Sequence, residues 1–238
     1  MDTQFGKLYL IPTGLGDNPM WDVLPQSIQK IIDFTDDYIV ENEKTARRFI
    51  KQVHPEKSQP ALHFKVLNKY TEDSEKSTFL EACKTGRPMG LLSEAGCPAI
   101  ADPGSDIVKL AHDNNIQVVP LVGPSSIIMA LMGSGMNGQS FAFNGYLPID
   151  KQDRKAELKR LERLSQEQNQ SQLFIETPYR NNKMLEDLCN VLHPQTRICV
   201  ACDLTLSTEY IKTFIAKDWK HTKVDLHKRP AIFIIHKD

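Results

Sequence analysis

Three stretches of the sequence are richer in glycine, proline and serine than a simple connection requires. They are TGLGDN at 13–18, SEAGCPAIADPG at 93–104 and GPSS at 123–126. Each follows a short apolar run, so each is predicted to be a loop after a strand, where small residues let backbone approach a ligand closely. The first loop has neither the third glycine of a dinucleotide fingerprint nor a Walker lysine, so pyrophosphate binding is not favoured. The two serines at 125–126 also suit a helix cap.

A predicted helix over 44–51 carries a basic face that could contact an anionic substrate. Its four basic residues fall on one side at helical spacing, and they are Lys44, Arg47, Arg48 and Lys51. A solvated basic face explains the same pattern. Glu41 lies just before this helix, at the end of a predicted strand, where a carboxylate could serve in acid–base chemistry.

Glu176 ends another predicted strand, and Arg180 follows one helical turn later. The pair could act on a substrate, although an ordinary i, i+4 ion pair has the same spacing. Cys199 and Cys202 form a C-x-x-C pattern inside a β-type run. Residues three apart on a strand point to opposite faces, so the pattern does not favour a metal or redox site. The histidines show no i, i+4 pair, and a G-x-S-x-G elbow is absent from the sequence.

The elements that position these residues alternate in the first half of the chain. Apolar runs predict strands at 7–12, 37–41, 62–67, 89–92 and 117–121, and helical periodicity predicts helices between them, including one over 74–84. Asp102-Pro103 and Thr177-Pro178 predict helix starts, with the polar residue as cap and proline in the first turn. Loops after parallel strands meet at one sheet edge, where open α/β sheets bind ligands.

The second half of the chain has a different order of predicted strands and helices. Strands are predicted at 140–145, 172–176, 197–202, 209–215 and 231–236 with few helices among the last three, which favours a mixed sheet. The glycine-rich segment 133–138 predicts a joint. We therefore predict an α/β protein of two lobes: residues 1–135, a parallel sheet with helices on both faces that carries the cofactor loops, and residues 136–238, a mixed α/β lobe that completes the cofactor and substrate site.

Composition limits the possible classes of protein. The chain has 238 residues with a formal net charge of −1, so bulk electrostatic binding to nucleic acid is not expected and any such role needs a local basic patch. Apolar runs are too short for a membrane span, and a signal-peptide layout is not expected. An odd, scattered set of five cysteines fits the reducing cytoplasm.

Six motifs in register together resemble the S-adenosylmethionine-dependent tetrapyrrole (corrin/porphyrin) methylase superfamily. They are PTGLGD (12–17), SEAGCPAIADPG (93–104), VVPLVGPSS (118–126), FNGYLP (143–148), IETPYR (175–180) and ACDLT (201–205). The A-G-x-P-x-I-x-D-P-G and I-E-T-x-x-R signatures are most similar to the ribosomal RNA small-subunit methyltransferase I branch. That branch methylates the ribose 2′-oxygen of a cytidine.

The resemblance implies a methyltransferase with S-adenosylmethionine in a cleft between two lobes, ribosomal RNA or the small ribosomal subunit as partner, and a homodimer. It also implies the cofactor residues. These are Leu15, Ser93, Cys97, Ile100, Ser125, Ser126, Ala201, Pro230 and Ala231. The candidate catalytic residues are Glu41, Lys44, Glu176 and Arg180, because a ribose hydroxyl is a weak nucleophile that a base or a cation would assist.

The chain departs from the branch pattern at positions where the substrate, rather than the cofactor, would be bound. VENEK (40–44) replaces Ala-Glu-Asp-Thr-Arg, ACDLT (201–205) loses an arginine, and Lys228-Arg229-Pro230 replaces Lys-Gly-Glu. Two alternatives therefore stay open. One is a methylase acting on a tetrapyrrole or another small molecule, and the other is a cofactor-binding module without catalysis.

Overall fold

A computed structural model describes residues 5–238. The chain forms two compact units, which divide between Ser125 and Ser126. The predicted boundary after residue 135 lies inside the second unit, because the helix Ser126–Ser134 packs on three strands of that unit's sheet. The functional assignment of the two lobes stays a prediction.

The first unit contains a five-stranded sheet in which every pairing is parallel, as predicted. The strand order is β3-β2-β4-β1-β5. The strands are β1 (Leu8–Ile11), β2 (Asp37–Val40), β3 (His63–Val66), β4 (Met89–Leu92) and β5 (Val118–Pro120). Because β4, β1 and β5 are neighbours in this order, the loops that follow them start side by side.

Helices cover both faces of this sheet. They are α1 (Ser27–Phe34), α2 (Glu43–Val53), α3 (Asp73–Lys76), α4 (Glu81–Lys84) and α5 (Ser105–Asp113), with 3-10 turns at Met20–Asp22 and Gln59–Ala61. One apolar cluster joins Leu8 and Leu91 to Phe79 and Ile107, and a second joins Ile11 to α1 and α2 on the other face. Both faces of a parallel sheet are thereby buried, which is why its strands read as continuous apolar runs.

Two details of the predicted helices are wrong. The helix predicted over 74–84 is broken into α3 and α4, because the backbone N–H groups of Thr78, Phe79 and Glu81 bond to carbonyls three residues back instead of four. Asp102-Pro103 does not start a helix either. Ala99 and Ala101 have positive φ, the chain bends through 101–103, and α5 begins only after Gly104, whose φ is 134°.

The second unit contains a mixed five-stranded sheet, which confirms the predicted fold class. The order is β6-β7-β10-β8-β9, with β6 parallel to β7 and the remaining pairs antiparallel. The strands are β6 (Phe141–Tyr146), β7 (Ser171–Ile175), β8 (Arg197–Cys202), β9 (Tyr210–Ile215) and β10 (Ala231–His236). Its helices are α6 (Ser126–Ser134), α7 (Lys151–Gln168), α8 (Asn181–Val191) and α9 (Ala216–Trp219).

A buried ion pair ties α7 to α8. Arg154 donates to Asp187 through Nε and Nη2 at 2.9 and 2.7 Å, and its Nη1 satisfies the carbonyl of Ile149. Burial of such a pair is tolerated only when every hydrogen-bonding group is satisfied, as it is here for the guanidinium. The helix start predicted at Thr177-Pro178 is wrong, since those residues form a turn and α8 begins at Asn181.

Among residues 5–238, the helices are all too short or too polar to cross a lipid bilayer.

Candidate functional site

The three glycine-rich loops of the first unit are joined to one another at the carboxyl ends of β1, β4 and β5. Thr13 and Gly96 exchange backbone hydrogen bonds of 3.0 and 3.3 Å, which pairs the first loop with the second. The Ser93 hydroxyl donates to the carbonyl of Gly96 at 2.9 Å and closes the second loop on itself. The Cys97 thiol lies 3.4 Å from the carbonyl oxygen of Pro124, which connects the second loop to the third.

Two glycines make this close approach possible. Gly96 has φ of 73°, and a Cβ there would lie 3.1 Å from Leu15 Cδ2. At Gly123 a Cβ would lie 2.2 Å from Pro12 Cγ, so a side chain would push the third loop away from the first. Glycine is needed at both positions for steric reasons, and the result is a backbone surface at the sheet edge.

A cleft of about 840 Å³ opens at this edge, within the first unit. The first loop forms one wall, and α2 with the end of β4 forms the other. Leu15, Met20, Leu24 and Phe49 supply apolar surface, and Thr13, Asn18, Thr45 and Ser93 supply polar groups. Apolar surface combined with convergent polar atoms is typical of small-molecule and cofactor sites.

The cleft fits the cofactor that the resemblance implies. S-adenosylmethionine carries an adenine, a sulfonium and an amino-acid end but no phosphate, so it needs polar atoms and small apolar surfaces rather than a phosphate cradle. Asn18 lines the cleft, and its Oδ1 is buried without a hydrogen-bond partner in the described part of the chain. A buried acceptor of this kind is costly unless a ligand or water donates to it, and an adenine or ammonium N–H is a suitable donor.

The predicted cofactor residues of the first unit do not all share the cleft. Leu15 and Ser93 line it. Cys97 is half-buried against the third loop, whereas the side chain of Ile100 is 53% exposed. Ser125 is the last residue of the first unit, and Ser126 is the first residue of α6.

The predicted cofactor residues of the second unit lie on two paired strands. Ala201 in β8 is opposite Ile232 of β10, and Ala231 is opposite Cys202. Both alanine side chains are buried, and the carbonyl of Pro230 accepts from the backbone N–H of Asp203. Their role in binding a cofactor stays a prediction.

Three carboxyl groups gather beside the cleft. Glu41 follows β2, and its Oε1 accepts from the backbone N–H of Glu94 at 3.3 Å. Burial raises the pKa of Glu41, and Asp102 and Glu94 raise it further by repulsion. Burial and then Glu94 also raise the pKa of Asp102. The Thr45 hydroxyl donates to Glu94, which fixes that carboxylate against α2. A carboxyl group with a raised pKa is closer to the range in which it exchanges protons at neutral pH.

The basic face of α2 is divided by the tertiary structure. Arg47 donates to Glu43 and to the carbonyl of Gln59, and its guanidinium carbon lies 4.5 Å from the centre of the Phe64 ring. Lys51 donates to the carbonyl of Pro55. Arg48 instead lines the cleft, and Lys44 is exposed. The four residues therefore do not present one common patch.

Glu176 and Arg180 form the ion pair that their spacing predicts, with Arg180 Nη2 2.6 Å from Glu176 Oε1. Burial opposes ionisation of Glu176, but the hydrogen bonds from Arg180 and from the backbone N–H of Thr177 outweigh burial and lower its pKa. A carboxylate held ionised in this way is a poor proton acceptor. The pair is suited to orienting a group by charge rather than to exchanging a proton.

A further polar cluster was not anticipated from the sequence. Asp203 and Arg229 each sit in a segment that departs from the branch pattern, and in the structure they form an ion pair with Nε 2.7 Å from Oδ2. The same carboxylate accepts from the Thr208 hydroxyl, and Arg229 Nη2 donates to the carbonyl of Thr208. The two residues are 26 positions apart, and nothing in linear order indicates that they meet.

Comparison with known proteins gives a consistent assignment. A family model described as "Tetrapyrrole (Corrin/Porphyrin) Methylases" matches residues 7–217. The chain is 28% identical over 227 residues to "Ribosomal RNA small subunit methyltransferase I" of Vibrio cholerae, covering 92% of this chain and 75% of the relative. The protein of the same name from Haemophilus influenzae is 29% identical, with 87% and 69% covered.

Solved structures support the fold. The methyltransferase CobJ superposes with a TM-score of 0.64 at 16% identity, covering 98% of this chain and 94% of that chain. Uroporphyrin-III C-methyl transferase from Thermus thermophilus, complexed with S-adenyl homocysteine, superposes with a TM-score of 0.57 at 14% identity, covering 98% of each chain. At these identities the likeness concerns the fold alone.

Proposed function

Since this chain belongs to the tetrapyrrole (corrin/porphyrin) methylase family and is a methyltransferase, we propose that it transfers a methyl group from S-adenosylmethionine to a ribose 2′-oxygen in small-subunit ribosomal RNA. Relatives from Vibrio cholerae and Haemophilus influenzae carry the name ribosomal RNA small subunit methyltransferase I. The match to each covers most of both chains, and this supports the choice of RNA as substrate.

The observation that carries the proposal is the joining of three loops beside one cleft. Thr13, Gly96 and Pro124 link loops that are far apart in sequence, and they do so at the sheet edge where α/β proteins bind ligands. The unpartnered Oδ1 of Asn18 points to a ligand with N–H donors. Leu15 and Ser93 are the predicted cofactor residues that line this cleft. The resemblance also assigns Cys97, Ile100, Ser125, Ser126, Ala201, Pro230 and Ala231 to the cofactor.

In this proposal one residue acts as the general base and two others as cations near the substrate. S-adenosylmethionine supplies an electrophilic methyl group, so the protein needs chiefly to position the ribose hydroxyl and to accept its proton. Glu41 is the proposed base because its pKa is raised, whereas the pKa of Glu176 is lowered by its pairing with Arg180. Lys44 and Arg180 are the proposed cations near the substrate.

The proposal also includes the setting of the protein. All five cysteines are free, and four of them are buried, which is compatible with a reducing cytoplasm as the proposed location. A homodimer is proposed from the resemblance alone, and sedimentation analysis of the purified chain tests it.

Methyl transfer from labelled cofactor to small ribosomal subunits and to protein-free small-subunit RNA tests the function. We expect label in the RNA that survives alkaline hydrolysis as a 2′-O-methylated dinucleotide, and we expect Glu41→Gln to lower the rate by 10²- to 10⁴-fold, the usual contribution of a general base. Cofactor binding without label in any RNA would favour the non-catalytic module. Label in a tetrapyrrole but not in RNA would favour the small-molecule methylase.

A further inference from the structure

The second unit exposes two tyrosine rings at the same end of neighbouring strands. Tyr146 is the last residue of β6 and is 61% exposed, and Tyr179 lies in the turn after β7 and is 69% exposed. Tyr146 is in register with Ile175, the last residue of β7, across a parallel pairing. Both rings therefore extend from the same end of this strand pair.

Tyr179 is held in place by the segment before β10. His227 meets its ring edge-on with the ring centres 5.8 Å apart, and Lys228 Nζ lies 5.8 Å from the ring centre. The backbone N–H of Lys228 donates to the carbonyl of Pro178 at 3.0 Å, although Lys228 has a φ of 60°. This contact fixes a non-glycine residue in a conformation that costs energy, and it keeps a cation beside the ring.

Arg180 follows Tyr179 directly in the chain. One of its nitrogens pairs with Glu176, while its Nε has no hydrogen-bond partner among the described residues. The side chain is 39% exposed. The hydrogen bond that Arg180 donates to Glu176 is the main cause of its raised pKa, and the Tyr146 hydroxyl adds a small contribution.

We propose that Tyr146, Tyr179, Arg180 and Lys228 form an aromatic platform that binds unpaired nucleotides of RNA, with bases stacked on the two rings and phosphates on the two cations. Stacked rings with flanking cations are how proteins hold single-stranded nucleic acid, because every base has a face that stacks. Bases in a duplex have both faces covered, so a duplex gains nothing from the rings. This proposal rests on the proposed function, since it specifies which part of the RNA substrate the enzyme binds.

Binding of fluorescein-labelled RNA, followed by anisotropy, tests the platform. The probe is a short unpaired oligonucleotide, compared with the same sequence closed into a hairpin stem. Tyr179→Leu and Tyr146→Leu should each weaken binding of the unpaired probe by roughly 5- to 100-fold, and Tyr179→Phe should bind like the parent because the ring is retained. Lys228→Ala should flatten the dependence of log Kd on log salt by about 0.7.

The chain offers a matched control in the first unit. Tyr70 is 79% exposed, and Lys69 Nζ lies 4.9 Å from its ring centre, so Tyr70→Leu removes a similar ring outside the platform. We expect Tyr70→Leu to bind both probes like the parent. Because Tyr146 and Tyr179 are exposed, the variants should melt within a few degrees of the parent, which excludes unfolding as the cause.

Each remaining outcome decides against the platform in a recognisable way. If Tyr179→Leu and Tyr146→Leu bind the unpaired probe like the parent, or weaken the hairpin equally, stacking on these rings is refuted. If the parent still methylates ribosomal RNA in that case, the proposed function stands without the platform. If the parent binds neither probe and methylates no RNA, the proposed function fails as well.

Discussion

At the scale of single residues, charge partners decide which side chains remain available for chemistry. Glu41 and Glu176 both end strands, yet the pKa of Glu41 is raised by burial and by two nearby carboxylates, whereas hydrogen bonds from Arg180 and Thr177 lower that of Glu176. Arg47 and Arg48 are adjacent in sequence, but only Arg48 lines the cleft. Glu41 is affected by carboxylates more than fifty residues away in sequence, whereas the partners of Glu176 lie within one helical turn of it.

Glu41→Gln should stabilise the protein at neutral pH and have little effect in acid. A carboxyl group whose pKa is higher in the folded than in the unfolded protein binds more protons in the folded state. The free energy of unfolding therefore falls as pH rises between the two pKa values, and it stays lower above them. Removing the ionisable group removes this loss, and the Tm difference between variant and parent should grow from pH 4 to pH 7. Thermal melts at both pH values measure it, with Glu56→Gln at an exposed position as a control for net charge. A difference independent of pH would contradict the raised pKa.

Asp203 and Arg229 should be energetically coupled. Their ion pair is largely shielded, with side-chain exposures of 8% and 28%, and the two residues share Thr208. A double-mutant cycle with Asp203→Asn and Arg229→Met, measured by urea denaturation, should give a coupling of between about 0.5 and 3 kcal/mol.

The pair Arg163–Glu167 on α7 provides the control cycle. It is 3.9 Å apart, with both side chains more than 60% exposed, so its coupling should be close to zero. Equal coupling in the two cycles would show that shielding and the shared Thr208 contribute nothing to the Asp203–Arg229 pair.

At the scale of elements, caps and turns position the site. Asn42 ends the connection from β2 and caps α2, accepting from the backbone N–H groups of Lys44 and Thr45. The cap sets where α2 starts and therefore where Thr45 and Arg48 face the cleft. The residue that precedes α5 is Gly104, so Asp102 does not cap that helix. The Asp102 carboxylate is instead close enough to Glu41 to raise its pKa.

Asn42→Ala should destabilise the first unit by about 1 kcal/mol, because two N–H groups at the start of α2 lose their acceptor. Asn42→Ser should retain most of the stability, since serine also accepts from these positions. Urea denaturation followed by circular dichroism measures both variants. Equal stability of Asn42→Ala and the parent would mean that water replaces the cap without loss.

At the scale of the whole molecule, ligand binding is coupled to folding. A ligand that binds only the folded state adds RT ln(1 + [L]/Kd) to the free energy of unfolding, or about 2.7 kcal/mol at 100 times Kd. S-adenosylmethionine and its demethylated product should therefore both raise the Tm of the parent.

Ser125→Leu should abolish this rise while leaving the Tm without ligand near that of the parent, because leucine fills space at the end of the third loop. Asn18→Leu removes the unpartnered acceptor in the cleft and should reduce the rise without destabilising the free protein. Differential scanning calorimetry with and without each ligand gives both quantities. A full rise in both variants would place the cofactor elsewhere.

Local sequence determined the elements and their kind. Apolar runs at 37–40 and 89–92 are strands because a sheet covered on both faces buries every position, and α2 begins at the polar cap that precedes its periodic residues. The parallel first sheet, the mixed second sheet and the three loops beside the first were all predictable for this reason. The motifs also identified the family before any geometry was known.

Tertiary structure alone decided which residues meet. Asp102-Pro103 and Thr177-Pro178 satisfy the local rule for a helix start, but the left-handed turn at Ala99 and Ala101 and the turn before Asn181 override it. Three contacts join residues that are separated in sequence. They are the Asp203–Arg229 ion pair, the Thr13–Gly96 bridge and the packing of Arg47 on Phe64, which removes Arg47 from the basic face of α2. Such contacts depend on the free energy of the folded chain as a whole, to which local propensity contributes only a small part.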